Sequence, residues 1–314
     1  MASEFKDKVA IITGAGRGIG RAHALALGAL GAKVVVNDFG GTLEGADAGN
    51  VAGNATGTAA GNAADDVVAE IRAAGGTAIA NHGSVSSRED SVQMVQDAVD
   101  AFGTVHILVN NAGILRDMTF RKMTLDDFDE VMKVHLTGTA YVTHAAWPIM
   151  YEQRYGRIVF TSSGSGVFGN FGQANYGAAK MGMVGLMNVL TQEGSRRNIM
   201  VNCLAPSAVT RMTASVKGRD VDAANPPPER DPSKVTPAVL FMCSEDAPSG
   251  KIIQAGGGRF ASIGIYSNKA VEFGADADYE KFLGSKDLIL DMSTAREGNQ
   301  NRLVQPMKMD APKR

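Results

Sequence analysis

Cysteine is scarce in this chain of 314 residues, which contains Cys203, Cys243 and no other. Two cysteines argue against a disulfide scaffold and against a metal site built from thiolates. Their low number fits a reducing compartment. We therefore predict a cytoplasmic protein that holds no metal.

Long apolar runs and a large net charge are missing as well. No segment approaches the run of about eighteen apolar residues that a membrane-spanning helix needs. The net charge is −2 and the isoelectric point is about 6.2, so we expect no binding to nucleic acid or to an anionic membrane. The start of the chain, MASEFKDK, is charged and precedes no apolar stretch, which predicts no secretion signal. The final APKR does not match the peroxisomal signal Ser-Lys-Leu.

Glycine is abundant instead, at 37 residues, and its first cluster at 14–20 follows an apolar, β-branched segment at 8–13. A helix-like segment comes next, and a second predicted strand at 33–36 leads to Asn37 and Asp38. This order of strand, glycine turn, helix, strand and carboxylate is typical of a dinucleotide-binding unit. Glycines let the backbone approach a pyrophosphate, and the following helix points its positive end toward it.

Asp38 indicates which dinucleotide is bound. A carboxylate at the end of the second strand can accept hydrogen bonds from both ribose hydroxyls, and it would repel a 2′-phosphate. The sequence therefore predicts NAD(H) rather than NADP(H). Arg17 in the glycine turn is a weaker signal in the opposite direction, since its guanidinium could meet a phosphate.

Strands and helices alternate through most of the remaining chain. Apolar segments predict five further strands, at 77–81, 105–109, 157–161, 200–204 and 251–255. Helical patterns separate them, including one long helix at 128–146. This alternation predicts an α/β protein with a three-layer, doubly wound Rossmann fold around a seven-stranded parallel sheet.

Three segments stand apart from the alternation. The glycine-rich residues 40–64 predict an irregular surface insertion or, alternatively, a flap near the adenosine end of the cofactor. The polar residues 207–232, with prolines at 226–228, predict a loop that covers the substrate. Residues 259–314 fit no strand–helix unit. We expect a single domain over residues 1–258, followed by a C-terminal extension.

Tyr176, Lys180 and Ser163 suggest acid–base chemistry. In a helix predicted over 174–190, Tyr176 and Lys180 lie one turn apart on the same face. A tyrosine ordinarily titrates at a pKa of about 10, and a fixed positive charge nearby favours the phenolate and lowers that pKa. Ser163 follows the strand at 157–161 and could hold a substrate oxygen against the phenol. The three residues predict a site that moves a proton to or from that oxygen.

Five ordered motifs make residues 5–258 similar to the short-chain dehydrogenase/reductase family. They are TGAGRGIG (13–20), NNAG (110–113), Ser163, YGAAK (176–180) and the Ala-Pro turn at 205–206. The resemblance implies that Tyr176 is the catalytic acid and base and that Ser163 steadies the substrate oxygen. It also implies that Lys180 grips the nicotinamide ribose and lowers the pKa of the tyrosine.

The same resemblance implies a set of cofactor-binding residues and an oligomer. The glycine turn and the ribose site comprise Gly14, Arg17, Gly18, Ile19, Gly20 and Asp38. The adenine would lie near Ser84 and Val85. The nicotinamide and its ribose would contact Asn111, Ala112, Gly113, Tyr176, Lys180 and Val209. Family members are homodimers or homotetramers, for which the helices at 128–146 and 176–190 are candidate interfaces.

Longer motifs resemble one branch of the family, the (3R)-hydroxyacyl-CoA dehydrogenase units of type-2 peroxisomal multifunctional enzymes. These motifs are VVVNDFGG (34–41), NNAGILRD (110–117), KVHLTG (133–138), GNFGQANY (169–176) and TRMT (210–213).

Three features depart from the general family pattern. His135 stands where the family usually has asparagine, although that branch has histidine too. The role of this residue depends partly on a backbone carbonyl that holds a water near the lysine, so we expect His135 to support catalysis. Ser207 replaces a glycine, and the insertion at 42–64 is long. The last two departures concern the fit of the substrate rather than the chemistry.

Three functions are compatible with these residues. The first is interconversion of a (3R)-3-hydroxyacyl-CoA and a 3-oxoacyl-CoA, with a candidate basic rim formed by Arg116, Arg121, Lys122, Arg211 and Lys217. The second is oxidation of a steroid, terpenoid or other hydrophobic secondary alcohol. Either substrate would suit the apolar residues Phe168, Phe171 and Met212. The third, an NAD-binding protein without turnover, is disfavoured because Ser163, Tyr176 and Lys180 are all present.

Overall fold

A computed structural model describes residues 4–41, 63–214 and 222–297. The chain separates into two compact units, Met1–Ser262 and Ile263–Arg314. Most of the glycine-rich insertion, residues 42–62, lies outside the described residues, and so does the predicted adenosine flap. The centre of the 207–232 loop, residues 215–221, lies outside them as well.

The first unit is built on the seven parallel strands that the sequence predicts. They are β1 (Val9–Ile12), β2 (Lys33–Asn37), β3 (Thr77–Asn81), β4 (Ile107–Asn110), β5 (Gly156–Thr161), β6 (Ile199–Pro206) and β7 (Ile252–Gly256). Each pair of neighbours among them runs parallel. β1, β4 and β5 are buried along their whole length, because helices cover both faces of such a sheet.

The helices form the two outer layers. They are α1 (Gly18–Ala29), α2 (Ala63–Ala73), α3 (Arg88–Phe102), α4 (Leu125–Met132), α5 (Gly138–Gln153), α6 (Gly164–Phe168), α7 (Ala174–Gly194), α8 (Arg211–Ala214) and α9 (Thr236–Cys243). α1 packs against α2 and α9, and α5 packs against α3 and α7. The predicted three-layer, doubly wound arrangement is therefore confirmed.

The helix predicted at 128–146 is interrupted. A π-helical turn, Lys133–Thr137, separates α4 from α5, and the N–H of Gly138 donates to the carbonyl of Lys133. This hydrogen bond reaches one residue farther back than in an α-helix, so the backbone widens at this point. Single turns of this kind are frequent at functional sites. His135 lies within the turn and is buried.

The strand order places a crevice at the carboxyl ends of β1 and β4. The sheet runs β3-β2-β1-β4-β5-β6-β7-β8, so the chain moves outward from β1 in one direction and then restarts on its other side at β4. Open α/β sheets bind ligands at such a switch point. The glycine turn follows β1, and Asn111 follows β4, so both lie at this crevice.

The sheet has one strand more than the sequence predicts. β8 (Arg259–Ile263) follows β7 after a two-residue turn and occupies the edge of the sheet. A connection this short permits only an antiparallel neighbour. Since β8 is almost fully exposed, it lacks the apolar run that identifies the other strands.

The second unit contains short elements in its described part. Tyr266–Ser267 pairs antiparallel with Arg296–Glu297, and two helices span Tyr279–Gly284 and Lys286–Leu290. Across both units, the described residues include no helix with the length and apolar character needed to cross a membrane.

Candidate active site

The glycine turn between β1 and α1 packs tightly against the end of β4. Gly14 has a φ of +61°, and a Cβ on it would lie 2.8 Å from the Cα of Ala112. A Cβ on Gly20 would collide with the carbonyl oxygen of Gly14. Larger residues would push the turn away from β4. The glycines therefore keep the start of α1 open to the crevice, where its first N–H groups have no intrahelical partners and can bind an anion.

Thr13 and Asn111 join the ends of β1 and β4. Thr13 Oγ1 accepts hydrogen bonds from the backbone N–H groups of Asn111 and Ala112, at 2.9 and 3.1 Å. The side-chain nitrogen of Asn111 donates to the carbonyls of Thr13 and Gly14, at 3.0 Å each. The amide of Asn111 thus fixes the glycine turn, and the residue also forms part of the cavity wall.

Asp38 follows β2 at the same crevice. Its Oδ2 accepts from the N–H of Gly16 at 2.9 Å, and its Oδ1 accepts from the N–H of Gly40 at 2.8 Å. Each carboxylate oxygen can accept more than one hydrogen bond. Asp38 is therefore held in place by the backbone and can still accept hydrogen bonds from a ribose diol.

Asn37 and Asn81 shape the wall where the sequence places the adenine. The side-chain nitrogen of Asn37 donates to Asn81 Oδ1 and to the carbonyl of Gly83, at 2.8 Å each. Ser84 and Val85 follow and line the cavity. Sequence reasoning missed the two asparagines, because only the register of β2 against β3 brings Asn37 opposite Asn81.

Ser163 and Tyr176 meet where β5 leads into α6. Ser163 Oγ accepts from the N–H of Ser165 at 3.1 Å, and the Ser163 side chain acts to lower the pKa of Tyr176. The N–H of Tyr176, in the first turn of α7, donates to Asn175 Oδ1 at 2.7 Å. The Ser163 side chain is thus held by the backbone of Ser165, and the backbone of Tyr176 is held by the side chain of Asn175. A substrate oxygen can approach the two hydroxyl groups together.

Lys180 lies one turn after Tyr176 on α7 and is buried. Its Nζ donates to the carbonyl of Thr161 at 2.5 Å and lies 5.4 Å from the centre of the Tyr176 ring. Burial lowers the pKa of Lys180 to about 7. Near neutral pH the amine is therefore only partly charged.

Lys180 is not among the groups that shift the pKa of Tyr176 in this structure, and its predicted lowering of that pKa stays a prediction. Burial raises the pKa of Tyr176 to about 12, the hydrogen bond from Ser163 acts to lower it, and the charge of Asp117 raises it. Helical spacing reveals that a lysine is near, but it does not reveal how far each side chain is removed from water. At neutral pH Tyr176 is an uncharged phenol that can donate a hydrogen bond.

His135 packs against Tyr176 from the π-helical turn. The two rings are T-shaped with centroids 5.1 Å apart, and His135 Nε2 lies 2.7 Å from the carbonyl oxygen of Ile114. Burial, and then the charge of Lys180, holds the pKa of His135 well below its ordinary value, so the ring is neutral. Gly113 makes room for it, because a Cβ there would collide with Cε1 of the ring. His135 supports the Tyr176 ring, and its catalytic contribution stays a prediction.

Asn175, Gln173 and Asp117 surround Tyr176 but were not singled out from the sequence. The Asn175 side chain donates to the carbonyls of Arg116 and Asp127, at 3.0 and 3.3 Å. Gln173 Nε2 donates to Asp117 Oδ2 at 2.7 Å. Gln173 and Asn175 are buried. All three lie inside motifs that carry the resemblance. Their polar character and their place in these motifs are the sequence features from which they could have been predicted.

A cavity of about 440 Å³ connects these parts. The predicted site residues in its wall are Gly14, Arg17, Gly18, Ile19, Asp38, Ser84, Val85, Asn111, Ala112, Gly113, His135, Tyr176, Lys180 and Val209. Gly20 is buried beneath the glycine turn, and Ser163 is linked to the cavity through Tyr176. The cavity has one continuous wall, which contains the open start of α1, the carboxylate of Asp38 and the Tyr176–Lys180 pair. This wall fits a nicotinamide dinucleotide.

The structure describes only part of the basic rim that was predicted for a CoA substrate. Arg116 forms an ion pair with Asp127 at 3.1 Å, while Arg121 and Lys122 are exposed. Phe168 and Phe171 are 70% and 90% exposed, and Met212 lines the cavity. Lys217 and the side chain of Arg211 lie outside the described residues. Ser207 follows β6, and its N–H donates to the carbonyl of Ala255 at 2.8 Å.

Comparison with known proteins defines the class to which this fold and site belong. The family of short chain dehydrogenases matches residues 52–220. A protein of Mycobacterium tuberculosis that is named as a short-chain type dehydrogenase/reductase is 43% identical over 296 residues, which are 93% of this chain and 96% of that protein. The chain therefore belongs to the short-chain dehydrogenase/reductase family. It is an oxidoreductase of the kind that acts on CH–OH groups, and the fold generally binds NAD(H) or NADP(H).

Peroxisomal multifunctional enzymes are similar over most of the chain. Peroxisomal multifunctional enzyme A of Dictyostelium discoideum is 46% identical over 276 residues, which are 86% of this chain and 57% of that protein. Peroxisomal multifunctional enzyme type 2 of Mus musculus is 46% identical over 255 residues, which are 81% of this chain and 32% of that protein. The chain thus spans 57% and 32% of the length of these two relatives.

Two solved structures are similar as well. A short chain dehydrogenase from Mycobacterium avium superimposes with a TM-score of 0.76 at 34% identity, over 93% of this chain and 97% of that one. Full-length peroxisomal multifunctional enzyme type 2 from Drosophila melanogaster gives a TM-score of 0.72 at 36% identity, over 93% of this chain and 47% of that one. The resemblance derived from the motifs is confirmed.

Proposed function

We propose that this chain is an NAD-dependent dehydrogenase that interconverts (3R)-3-hydroxyacyl-CoA and 3-oxoacyl-CoA. The chemistry rests on one observation: Tyr176 and Lys180 line the same cavity as Asp38 and the glycine turn at the start of α1. The choice of substrate rests on the similarity to proteins named peroxisomal multifunctional enzymes.

Ser163 and Tyr176 perform the proton transfer in this proposal. The bound nicotinamide supplies hydride acceptance and donation. Ser163 and Tyr176 both hydrogen-bond to the substrate oxygen and so orient the carbon that bears the hydride. Oxidation requires the phenolate form of Tyr176, which takes the hydroxyl proton as the ketone forms, and in the reverse reaction the phenol gives that proton to the carbonyl oxygen. Lys180, with a pKa near 7, can accept or release a proton beside Tyr176.

Asp38 makes NAD(H) the proposed cofactor. Its carboxylate is fixed by the N–H groups of Gly16 and Gly40 and would face the negative charge of a 2′-phosphate. The test compares kcat/KM for NAD with that for NADP. We expect at least about a tenfold preference for NAD, because juxtaposed like charges cost several kcal/mol. Equal values would refute the assignment.

The substrate is tested with (3R)- and (3S)-3-hydroxyacyl-CoAs of several chain lengths, while NADH formation is followed. We expect turnover of the R epimers and none of the S epimers. The exposed Arg121 and Lys122 could contact the phosphates of the CoA moiety. In that case Lys122→Ala should raise KM for the thioester and leave kcat unchanged. Absence of turnover for all thioesters would overturn the acyl-CoA proposal.

A hydrophobic secondary alcohol, such as a steroid or a terpenoid, is the second candidate. Two large aromatic side chains, Phe168 and Phe171, are exposed on either side of the turn between α6 and α7, and a broad apolar substrate could cover them. Turnover of a free alcohol without turnover of any thioester would favour this candidate.

Assembly and compartment are further parts of the proposal. We expect a homodimer or homotetramer formed through the helices at 128–146 and 176–190. Met181 and Val189 are exposed on the second of these, and light scattering would give the mass of the assembly. Two of the relatives are named as peroxisomal enzymes, so the predicted cytoplasmic location is to be tested by fractionation.

A further inference from the structure

The side chain of Asn175 holds three backbone segments together at the start of α7. Its Nδ2 donates to the carbonyl of Arg116 in the loop after β4 and to the carbonyl of Asp127 in α4, at 3.0 and 3.3 Å. Its Oδ1 accepts from the N–H of Tyr176 at 2.7 Å. Asn175 is fully buried, so water does not compete for these bonds. One amide therefore connects the backbone of Tyr176 to two earlier segments of the chain.

The bond to Tyr176 takes the place of an ordinary helix cap. The N–H groups in the first turn of a helix have no intrahelical partner, and the side chain of the N-cap residue usually accepts one of them. The N-cap residue of α7, Gln173, makes no such bond. Its amide is bonded to Asp117 and Asn170 instead. The N–H of Tyr176 thus depends on Asn175 for its partner.

A backbone joint lies beside this amide. The N–H of Met118 donates to the carbonyl of Gly172 at 2.9 Å, and Met118 and Gln173 form an isolated parallel bridge. This joint fixes the loop after β4 against the segment that precedes α7, but it ends before the helix begins. Asn175 extends the connection into the first turn of α7, up to the residue whose phenol lines the cavity.

The same loop also positions the ring against which the phenol packs. His135 Nε2 lies 2.7 Å from the carbonyl oxygen of Ile114, and the rings of His135 and Tyr176 meet edge to face with centroids 5.1 Å apart. Ile114 holds the histidine, and Arg116, two positions later, holds α7 through Asn175. A shift of α7 relative to this loop would therefore displace the phenol from His135.

We propose that Asn175 is a positioning residue that fixes the phenol of Tyr176 relative to the loop after β4. Because Asn175 is fully buried, it acts through Tyr176 and not on the substrate. The proposal rests on the proposed function in taking Tyr176 as the proton-transfer group. It does not depend on which alcohol is the substrate.

The first variant is Asn175→Ala, which leaves the N–H of Tyr176 and the two carbonyls without this partner. A misplacement of about 1 Å can lower a rate by about a hundredfold, so we expect kcat to fall by about ten- to a hundredfold. The Kd for NAD should stay nearly unchanged, because none of the three bonds goes to the glycine turn or to Asp38. Asn175→Ser keeps a donor and an acceptor and is the milder variant, for which kcat should fall several-fold.

Asn202 provides a matched control. It is fully buried on β6, its Nδ2 donates to the carbonyl of Pro248 at 2.6 Å, and its Oδ1 accepts from the N–H of Lys251 at 3.1 Å. Asn202→Ala therefore removes a buried amide that joins backbone segments but has no bond to Tyr176. We expect Asn202→Ala to lower the Tm, as Asn175→Ala does, and to keep the kcat of the parent.

The NMR signal of Tyr176 gives a readout that needs no substrate. The protein is labelled with 13C in the tyrosine rings, and the signal is assigned by its loss in Tyr176→Phe. The adjacent His135 ring shifts the ring signals of Tyr176, so their positions report how the two rings pack. We expect a displaced or broadened Tyr176 signal in both Asn175 variants and the parent signal in Asn202→Ala.

The two readouts separate this proposal from the proposed function. Turnover is measured with the alcohol that the parent oxidises fastest, so failure of every thioester would count against the acyl-CoA substrate only. The role of Asn175 is overturned if the folded Asn175 variants keep the parent signal of Tyr176 or the parent kcat. It is also overturned if Asn202→Ala moves the signal and lowers kcat to the same extent.

Discussion

The buried histidine of α1 makes the stability of this protein sensitive to pH. His23 is fully buried, and its Nδ1 lies 3.0 Å from Thr236 Oγ1 of α9. Burial lowers the pKa of His23 from 6.5 to about 3. Between these two values the unfolded chain binds a proton at this residue and the folded chain does not. The contribution of His23 to stability is therefore fully present above pH 6.5 and is lost progressively as the pH falls toward 3.

The size of the loss follows from the two pKa values. One pKa unit corresponds to about 1.4 kcal/mol. Between pH 7 and pH 5, protonation of His23 stabilises the unfolded state by a free energy equivalent to about 1.4 pKa units. The folded state gains almost none of this stabilisation. The free energy of unfolding should fall by about 2 kcal/mol from this residue alone.

The assay is urea unfolding followed by circular dichroism at pH 7, 6 and 5, at one protein concentration. His23→Asn keeps a polar atom near Thr236 and removes the titration, so its stability should fall by about 2 kcal/mol less than that of the parent over this range. His144→Asn, which replaces an exposed histidine of α5, should keep the slope of the parent. If His23→Asn loses as much stability as the parent between pH 7 and pH 5, the reasoning is refuted.

Three further predictions concern the site and the core. Tyr176→Phe should reduce kcat by at least about a hundredfold and leave the Kd for NAD nearly unchanged, and a near-normal kcat would show that another group moves the proton. Gly113→Ala should displace His135 and cost about 2 kcal/mol in urea unfolding together with part of kcat, whereas Gly185→Ala, where a Cβ meets open space on α7, should not destabilise the protein. Cys203 and Cys243 are buried, and burial raises the pKa of each thiol to about 12. Neither should react with a thiol reagent at pH 8 until the protein is denatured, so rapid labelling of the native protein would contradict the burial.

Local patterns were enough to predict the seven parallel strands and the glycine turn. Strands buried on both faces are predominantly apolar, as β1 is throughout and β4 is up to Asn110, and such runs are visible without tertiary information. The edge strand β8 was not predicted, because an exposed strand needs no apolar run. The π-helical turn was not predicted, because the residues at 133–137 fit an ordinary helix equally well. The wider turn is accompanied by packing of His135 against Gly113 and Tyr176.

By itself the sequence determined the family, the doubly wound fold and the residues Ser163, Tyr176, Lys180 and Asp38, because each depends on residue type at a fixed spacing within or directly after a regular element. Only the tertiary structure decided the electrostatics of the site. Burial raises the pKa of Tyr176 and lowers that of Lys180, and the charge of Asp117, on a loop 59 positions earlier in the chain, also raises the pKa of Tyr176. Desolvation and charges from distant segments depend on where the folded chain excludes water, which no local spacing encodes.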